Sequence, residues 1–151
     1  MQAVYSVFGS KEALLGALGA RAMEILRVGV DAIAVTEDPV HDLAEASLVF
    51  RRFALENPAL FEVAFQRGDP AVWPRFEAAS AAALQALTRR FHRLVEARLL
   101  PRGSLREAVL AFHGMCEGLA ALELGGRAGA DLDPEHLWRV SFAALLKGFN
   151  T

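Results

Sequence analysis

Four times in this chain an Asx residue stands directly before proline: Asp38-Pro39, Asn57-Pro58, Asp69-Pro70 and Asp133-Pro134. The Asx oxygen can accept from free backbone N–H groups at a helix start. Proline at the next position loses nothing, because the N–H it lacks has no intrahelical partner there. Between these marks apolar residues recur at spacings of three and four, and strict alternation never persists. A chain punctuated in this way is committed to helices. Ser104-Leu105-Arg106-Glu107, after the breaker Pro101-Arg102-Gly103, adds a capping-box pattern.

These signals predict a short helix over about Gln2–Val7 and, after the turn Gly9-Ser10, a long helix from Lys11 to about Val35. Its inward face reads Leu15, Leu18, Ala22, Leu26 and Ile33. A third helix is expected over Pro39–Glu56 with Leu43, Ala46, Val49, Phe50 and Phe53 inward, then a short one over about Pro58–Gln66. A long helix should follow to about Leu100, with Pro74 kinking it or marking its true start. Leu105 to about Leu124 is the next, stopped by the glycine-rich run Gly125-Gly126-Arg127-Ala128-Gly129, and Pro134–Phe149 the last. The fold class predicted is all-α, one domain.

Composition narrows the function classes. Hydrophobic residues make up 54% of the chain, so it can bury a core and is not expected to be disordered. No run of about 18 residues lacks a charge or a break, so no membrane partner is expected. A net charge of −2 argues against nucleic-acid binding by bulk electrostatics. The single cysteine, Cys116, leaves no intrachain disulfide and fits a reducing, cytoplasmic compartment. The histidines His41, His92, His113 and His136 are scattered without metal-ligand spacing, and neither a metal nor a cofactor is implied. His113 and Cys116 lie three apart on one helix, but nothing orients the histidine as a base, so core packing is the expected role and an enzyme is not. The arginine run Arg89, Arg90, Arg93, Arg98 and Arg102 reads as a solvated helix face.

The opening string Ala3-Val4-Tyr5-Ser6-Val7-Phe8-Gly9-Ser10-Lys11-Glu12-Ala13-Leu14-Leu15 is a short helix, a glycine turn and a serine-capped helix with Glu12 favouring the helix dipole. It resembles the end of the DNA-binding domain of TetR-family regulators, where the recognition helix finishes with a tyrosine and an aromatic-glycine-serine-lysine turn. Tyr5, Phe8, Gly9, Ser10, Lys11, Leu14 and Leu15 carry the match. The resemblance implies phosphate contacts for Tyr5 and Lys11, and groove contacts for Gln2, Ala3 and Ser6. It divides the chain into residues 1–11, a remnant of the helix-turn-helix, and 12–151, an effector-binding and dimerisation domain. The two helices that precede the recognition helix in that family have no counterpart in this sequence, so weak DNA binding is expected of this chain, with operator DNA a partner of the full-length protein.

A second pattern lies near the other end. Ala111, Gly114, Gly118, Ala121 and Gly125 form a small-residue stripe down one helix, and Ser141, Ala144 and Gly148 do the same on the last. Interior glycine costs about 1 kcal/mol against alanine, so several on one face call for a reason, and close helix–helix approach supplies one. Either the stripes pack within the subunit or they meet a second copy in a two-fold four-helix bundle. Leu119, Leu122, Trp138, Phe142, Leu145 and Phe149 flank them and are expected to complete such an interface. TetR-like proteins dimerise through their last two long helices, so the resemblance favours the homodimer. Phe112-His113-Gly114 also resembles the His-Gly signature of the WHG subgroup, with Ala111-Phe112 where its tryptophan usually stands.

The middle of the chain is aromatic: Phe50, Phe53, Phe61, Phe65, Trp73, Phe76 and Phe91. Most belong to a core, but the family resemblance implies an apolar effector cavity among the long helices. Its expected lining is Phe53, Phe61, Phe65, Trp73, Phe76 and Phe91, with His113 and Cys116, along with Met115, Asn57 and Gln66, as polar or polarisable fixers. Together these features are read as a ligand-controlled transcriptional regulator, a repressor, that binds a small apolar effector. The rival is an all-helical protein-interaction or adaptor domain without an effector, which a dry, filled core would favour.

Overall fold

The computed structural model describes residues 2–66 and 74–150, and among these every regular element is a helix. The elements are α1 (Gln2–Phe8), α2 (Lys11–Asp31), α3 (Pro39–Glu56), α4 (Pro58–Phe61), α5 (Pro74–Glu96), α6 (Leu105–Leu124) and α7 (Pro134–Gly148). A π-turn, Glu62–Gln66, continues α4, and a 3-10 turn, Arg102–Ser104, leads into α6. The all-α expectation holds.

The starts follow the side chains that can cap them. Ser10 accepts from the Ala13 N–H at 3.1 Å and opens α2. Asp38 Oδ1 accepts from the N–H groups of Val40 and His41 at 3.0 and 2.9 Å, and Asp133 Oδ1 from Glu135 at 3.1 Å. Two expected caps fail for local reasons. Asn57 turns backwards, its Nδ2 donating to the Phe53 carbonyl at 3.2 Å, so it closes α3 rather than opening α4. Ser104 sits in the 3-10 turn with ψ near 3°, where an N-cap needs an extended backbone, and it makes no side-chain cap bond. Asp69 lies outside the described residues. Gly9, at φ +81°, ends α1 in a left-handed turn that favours glycine.

α3 is the central element and touches α2, α5, α6 and α7. Its expected inward set is buried throughout: Leu43, Ala46, Val49, Phe50 and Phe53. The most completely buried rings are Phe91 on α5 and Trp138 and Phe142 on α7. Each such ring contributes about 1.5–3 kcal/mol by leaving water. Phe91, Phe112 and Phe142 stack edge to face in series, with centroids 5.5 and 5.7 Å apart, and so bind α5, α6 and α7 into one layer.

α2 and α5 form the most extensive helix pair. At one end the pair closes to contact: a Cβ on Gly19 would lie 2.2 Å from a ring carbon of Phe76. At the other end, α5 holds α2 by arginines. The Arg90 guanidinium, only 8% exposed with its residue, donates to the carbonyls of Val30 at 2.9 Å and Ile33 at 2.6 Å. Arg89 pairs with Asp31 at 3.1 Å. Arg93 pairs with Asp42 and donates to the Thr36 carbonyl. The expectation of a solvated arginine face is therefore corrected: three members of that run grip the C-terminal end of α2 and the loop after it. α2 ends at Asp31 rather than near Val35, and the carbonyls of Val30 and Ile33 around that end accept from Arg90.

Asp42 is the buried acid of this corner, 1% exposed. Burial pushes its carboxyl up, but the Thr36 hydroxyl and N–H, at 2.7 and 3.0 Å, together with Arg93, bring it below the usual carboxylate range. On the opposite side, Arg51 of α3 forms a forked pair with Glu123 at the end of α6 (2.6–3.1 Å), and Trp138 Nε1 donates to the same carboxylate at 3.2 Å. α3, α6 and α7 are thus joined at one point by a partly buried ion pair.

Candidate ligand cavity and exposed helix face

The side-by-side packing of α2 and α5 is not closed along its length. Between the Gly19–Phe76 contact and the Arg90 grip lies a cavity of about 210 Å³. α2 supplies Met23, Leu26 and Val30, one residue per turn along one face. α5 supplies Ser80, Ala83, Leu84 and Leu87 opposite. Ala46 and Phe50 of α3, with Phe65 of the π-turn, form a third wall, and Leu110, Phe112 and His113 of α6 the fourth. Leu84 and Leu110 are 41% and 52% exposed and mark its mouth.

Of the lining expected from the sequence, the fold brings Phe65 and His113 to this cavity. Phe53, Phe61, Phe76, Phe91 and Cys116 are buried in the surrounding core and do not line it. Phe50 and Phe65 are neighbours at 5.2 Å, and Phe61 stands 5.4 Å behind Phe65 as support. Trp73 lies outside the described residues. Of the other fixers, Met115 packs against the core, while Asn57 and Gln66 stand apart from the cavity. The sequence reading missed Met23, Leu26, Val30, Ser80, Ala83 and Leu87. The apolar stripe of α2 was legible, but whether it faced a gap or a filled core was not.

His113 meets two rings edge to face, Phe65 at 5.6 Å and Phe50 at 6.2 Å. Burial lowers its pKa below the ordinary histidine value, and Glu117, one turn on, opposes that more weakly. The imidazole is therefore neutral at neutral pH. Cys116 is fully buried, and burial pushes its thiol far up, so it stays protonated and inert. A second hollow, about 370 Å³, lies over Gly29, Thr36, Asp42 and Arg52. Both of its acids are already engaged, Asp42 by Thr36 and Arg93 and Glu45 by Arg139, so we assign it a structural role.

The small-residue stripe faces outward. Gly114, Gly118 and Gly148 are exposed, and among the described residues a Cβ added at any of them meets nothing within 4 Å. Packing among the described residues therefore does not require these glycines. Ala121, Ser141 and Leu145 are half-buried beside them, and Leu122 is 37% exposed. Trp138 and Phe142, expected to complete a subunit interface, instead sit in the subunit's own core at 1% exposure. Leu110, at the cavity mouth, is one turn before Gly114 on α6.

At the other end, α1 packs on the start of α2. Gln2, Ala3, Ser6 and Lys11 are exposed, and the Ser6 hydroxyl donates to the Ala3 carbonyl at 2.7 Å. The side chain of Tyr5 lies outside what the structure describes.

Residues 43–145, more than half of the chain, match the family model described as tetracyclin repressor-like, C-terminal domain. The architecture is similar to that of a protein of unknown function from Rhodococcus sp. RHA1, with a TM-score of 0.83 at 17% identity, over 95% of this chain and 75% of that one. It is also similar to the TetR family transcriptional regulator PfmR from Thermus thermophilus, with a TM-score of 0.75 at 20% identity, over 97% of this chain and 80% of that one. No curated protein matches the sequence.

Proposed function

This chain belongs to the TetR family, and from that premise we propose that it is the effector-binding and dimerisation part of a ligand-controlled transcriptional repressor. The observation that carries the reading is the apolar cavity on the flank of α2. That helix holds α1 at its N-terminal end and forms one wall of the cavity further along, so a molecule in the cavity presses on the same rod that carries α1. In this reading α1 is the end of the DNA-reading helix. Tyr5 and Lys11 contact phosphates, while Gln2, Ala3 and Ser6 approach the groove.

α2 is held unequally. Its C-terminal end is fixed by charged hydrogen bonds from Arg90, its N-terminal half by van der Waals contact with Phe76. An occupant that spreads α2 from α5 tilts the helix about the Arg90 end and displaces α1. In a dimer this changes the separation of two DNA heads that must reach half-sites about 34–36 Å apart. A coupling of about 1–3 kcal/mol changes operator affinity roughly 5–150-fold. The adaptor alternative called for a filled core, and the cavity weighs against it.

The exposed stripe of α6 supports a homodimer, since Gly114 and Gly118, which packing among the described residues does not require, leave room for a second backbone. Light scattering with size exclusion tests this: the chain should run at twice its 16.4 kDa mass and Gly118→Leu at the single mass. An unchanged dimer for Gly118→Leu, with its melting temperature retained, removes the stripe as the interface.

A further inference from the structure

We propose that the cavity selects an uncharged, largely hydrocarbon molecule with a single hydrogen-bonding atom, and holds about eight of its non-hydrogen atoms inside the protein. The proposal deepens the effector reading and rests on it. Its ground is the charge content of the walls. Among the described residues the 13 that line it include no aspartate, glutamate, lysine or arginine, and Ser80 and His113, on different helices, are the polar members, the imidazole held neutral by burial.

Among the described residues, the charged neighbours of the lining are engaged elsewhere: Asp31, Glu45 and Arg51, each next to a lining residue, pair with Arg27 and Arg89, with Arg139 and with Glu123. Arg90 follows Leu87 on α5, but its guanidinium is turned onto the Val30 and Ile33 carbonyls. Glu24 and Arg27 flank Met23 and Leu26 on α2 and pair with each other at 2.7 Å. Glu117 is one turn from His113 and does not line the cavity. Among the described lining residues a carboxylate entering this space would find no fixed cation, and an ammonium no anion. A buried ion without a partner neutralises or stays out. The neutral imidazole of His113 offers one donor and one acceptor, and the Ser80 hydroxyl can act as either. That pair suits an alcohol, phenol, ketone or ester oxygen.

Size follows from volume. A dry cavity of about 150 Å³ lined by aliphatic and aromatic side chains takes up benzene. Scaled to 210 Å³, the interior takes about eight non-hydrogen atoms, with any further part of the molecule leaving past Leu84 and Leu110.

The test is calorimetric titration of the chain at neutral pH with 1-heptanol, hexanoate and hexylammonium, three probes of nearly equal size. Heptanol should bind one per chain. Hexanoate should enter as its acid, and with an alkanoic carboxyl pKa of about 4.9, somewhat above that of a glutamate side chain, that costs a factor of roughly 100 at pH 7. Hexylammonium should be excluded to a comparable degree. Ala83→Phe, which fills the cavity, and Leu84→Trp, which obstructs its exposed mouth, should each abolish the heptanol signal while the chain still melts cooperatively. Hexanoate or hexylammonium binding within tenfold of heptanol, lost in both variants, overturns the ligand class and leaves the effector cavity standing. Heptanol binding unchanged in both variants places the molecule elsewhere and overturns the cavity itself. No heptanol binding overturns the class and size together.

Discussion

Replacing Arg90 by methionine isolates the grip that fixes the end of α2. Methionine keeps most of the apolar stem and removes the charge and the donors, so the loss reports hydrogen bonds rather than packing. Arg90 is 8% exposed and donates at 2.9 Å to Val30 and 2.6 Å to Ile33. A bond from a charged donor contributes about 1.5–3 kcal/mol net, and a carbonyl left buried without a partner costs about 1–3 kcal/mol. Neither carbonyl is left bare: that of Val30 keeps a bond from the Ile33 N–H at 3.3 Å, and Ile33 is half-buried and can rehydrate, so the loss is mainly that of the two charged bonds. The relief of no longer burying a guanidinium offsets part of the sum. The expected loss is about 2–4 kcal/mol. For a chain of this size each kcal/mol lowers the melting temperature by about 2–4 °C, so a drop of roughly 5–15 °C is expected. Urea titration gives the free energy, and native-state hydrogen exchange gives its location. Amides in the last two turns of α2 should lose protection first, before those of α6. Arg89→Met is the control: that side chain is 57% exposed, and its loss should stay within about 0.5 kcal/mol. A loss below about 1 kcal/mol for Arg90→Met, or faster exchange spread evenly over the domain, refutes the claim that this residue anchors the helix.

Two further predictions bear on the same helix and its cavity. Gly19→Ala gains about 1 kcal/mol of helix propensity, but its Cβ would lie 2.2 Å from the buried Phe76 ring, and overpacking of this kind costs about 1–3 kcal/mol. A net fall in melting temperature is expected, reversed in the Gly19→Ala/Phe76→Leu double variant; a rise in the single variant contradicts the close contact. His113 is held neutral by burial, with a folded pKa below its unfolded value of about 6.5, so the unfolded chain binds more protons as pH drops. The stability this contributes is complete above about pH 6.5 and is lost as pH falls from there through the lowered folded pKa. Urea midpoints between pH 7.5 and 5.5 should fall for the wild type and fall less for His113→Phe; identical slopes would show that His113 is not the titrating group.

Much of the architecture could be read in advance, because it rests on short-range rules. The bounds of α3 and α6 followed from Asp38-Pro39 and from the Gly125 stop, where local capping and conformational preferences act within a turn. The front motif led to the family by resemblance, and the match over residues 43–145 agrees at the level of the family. The failures share one cause. Arg89, Arg90 and Arg93 have the spacing of a wet helix face, and only the arrival of α2 and of Asp42 against them engages all three and buries Arg90. Asn57 and Ser104 carry cap-forming side chains, but the backbone there had already been set by neighbouring turns. Phe53, Phe61, Phe76 and Phe91 were as good cavity candidates as Phe65, since aromatic composition does not say which ring borders a gap.

The sequence alone determined that the chain is helical, where most helices begin and stop, and which stripes are apolar, because those properties depend on residues within about one turn of each other. Tertiary structure decided which stripes close on one another and which stand apart. Gly19 against Phe76 brings α2 and α5 together at one end and Arg90 fixes them at the other, and the interval left between the two contacts is the cavity. That interval is set by distances between helices far apart in the chain, and packing volume is a property of the assembled layers rather than of any segment within them.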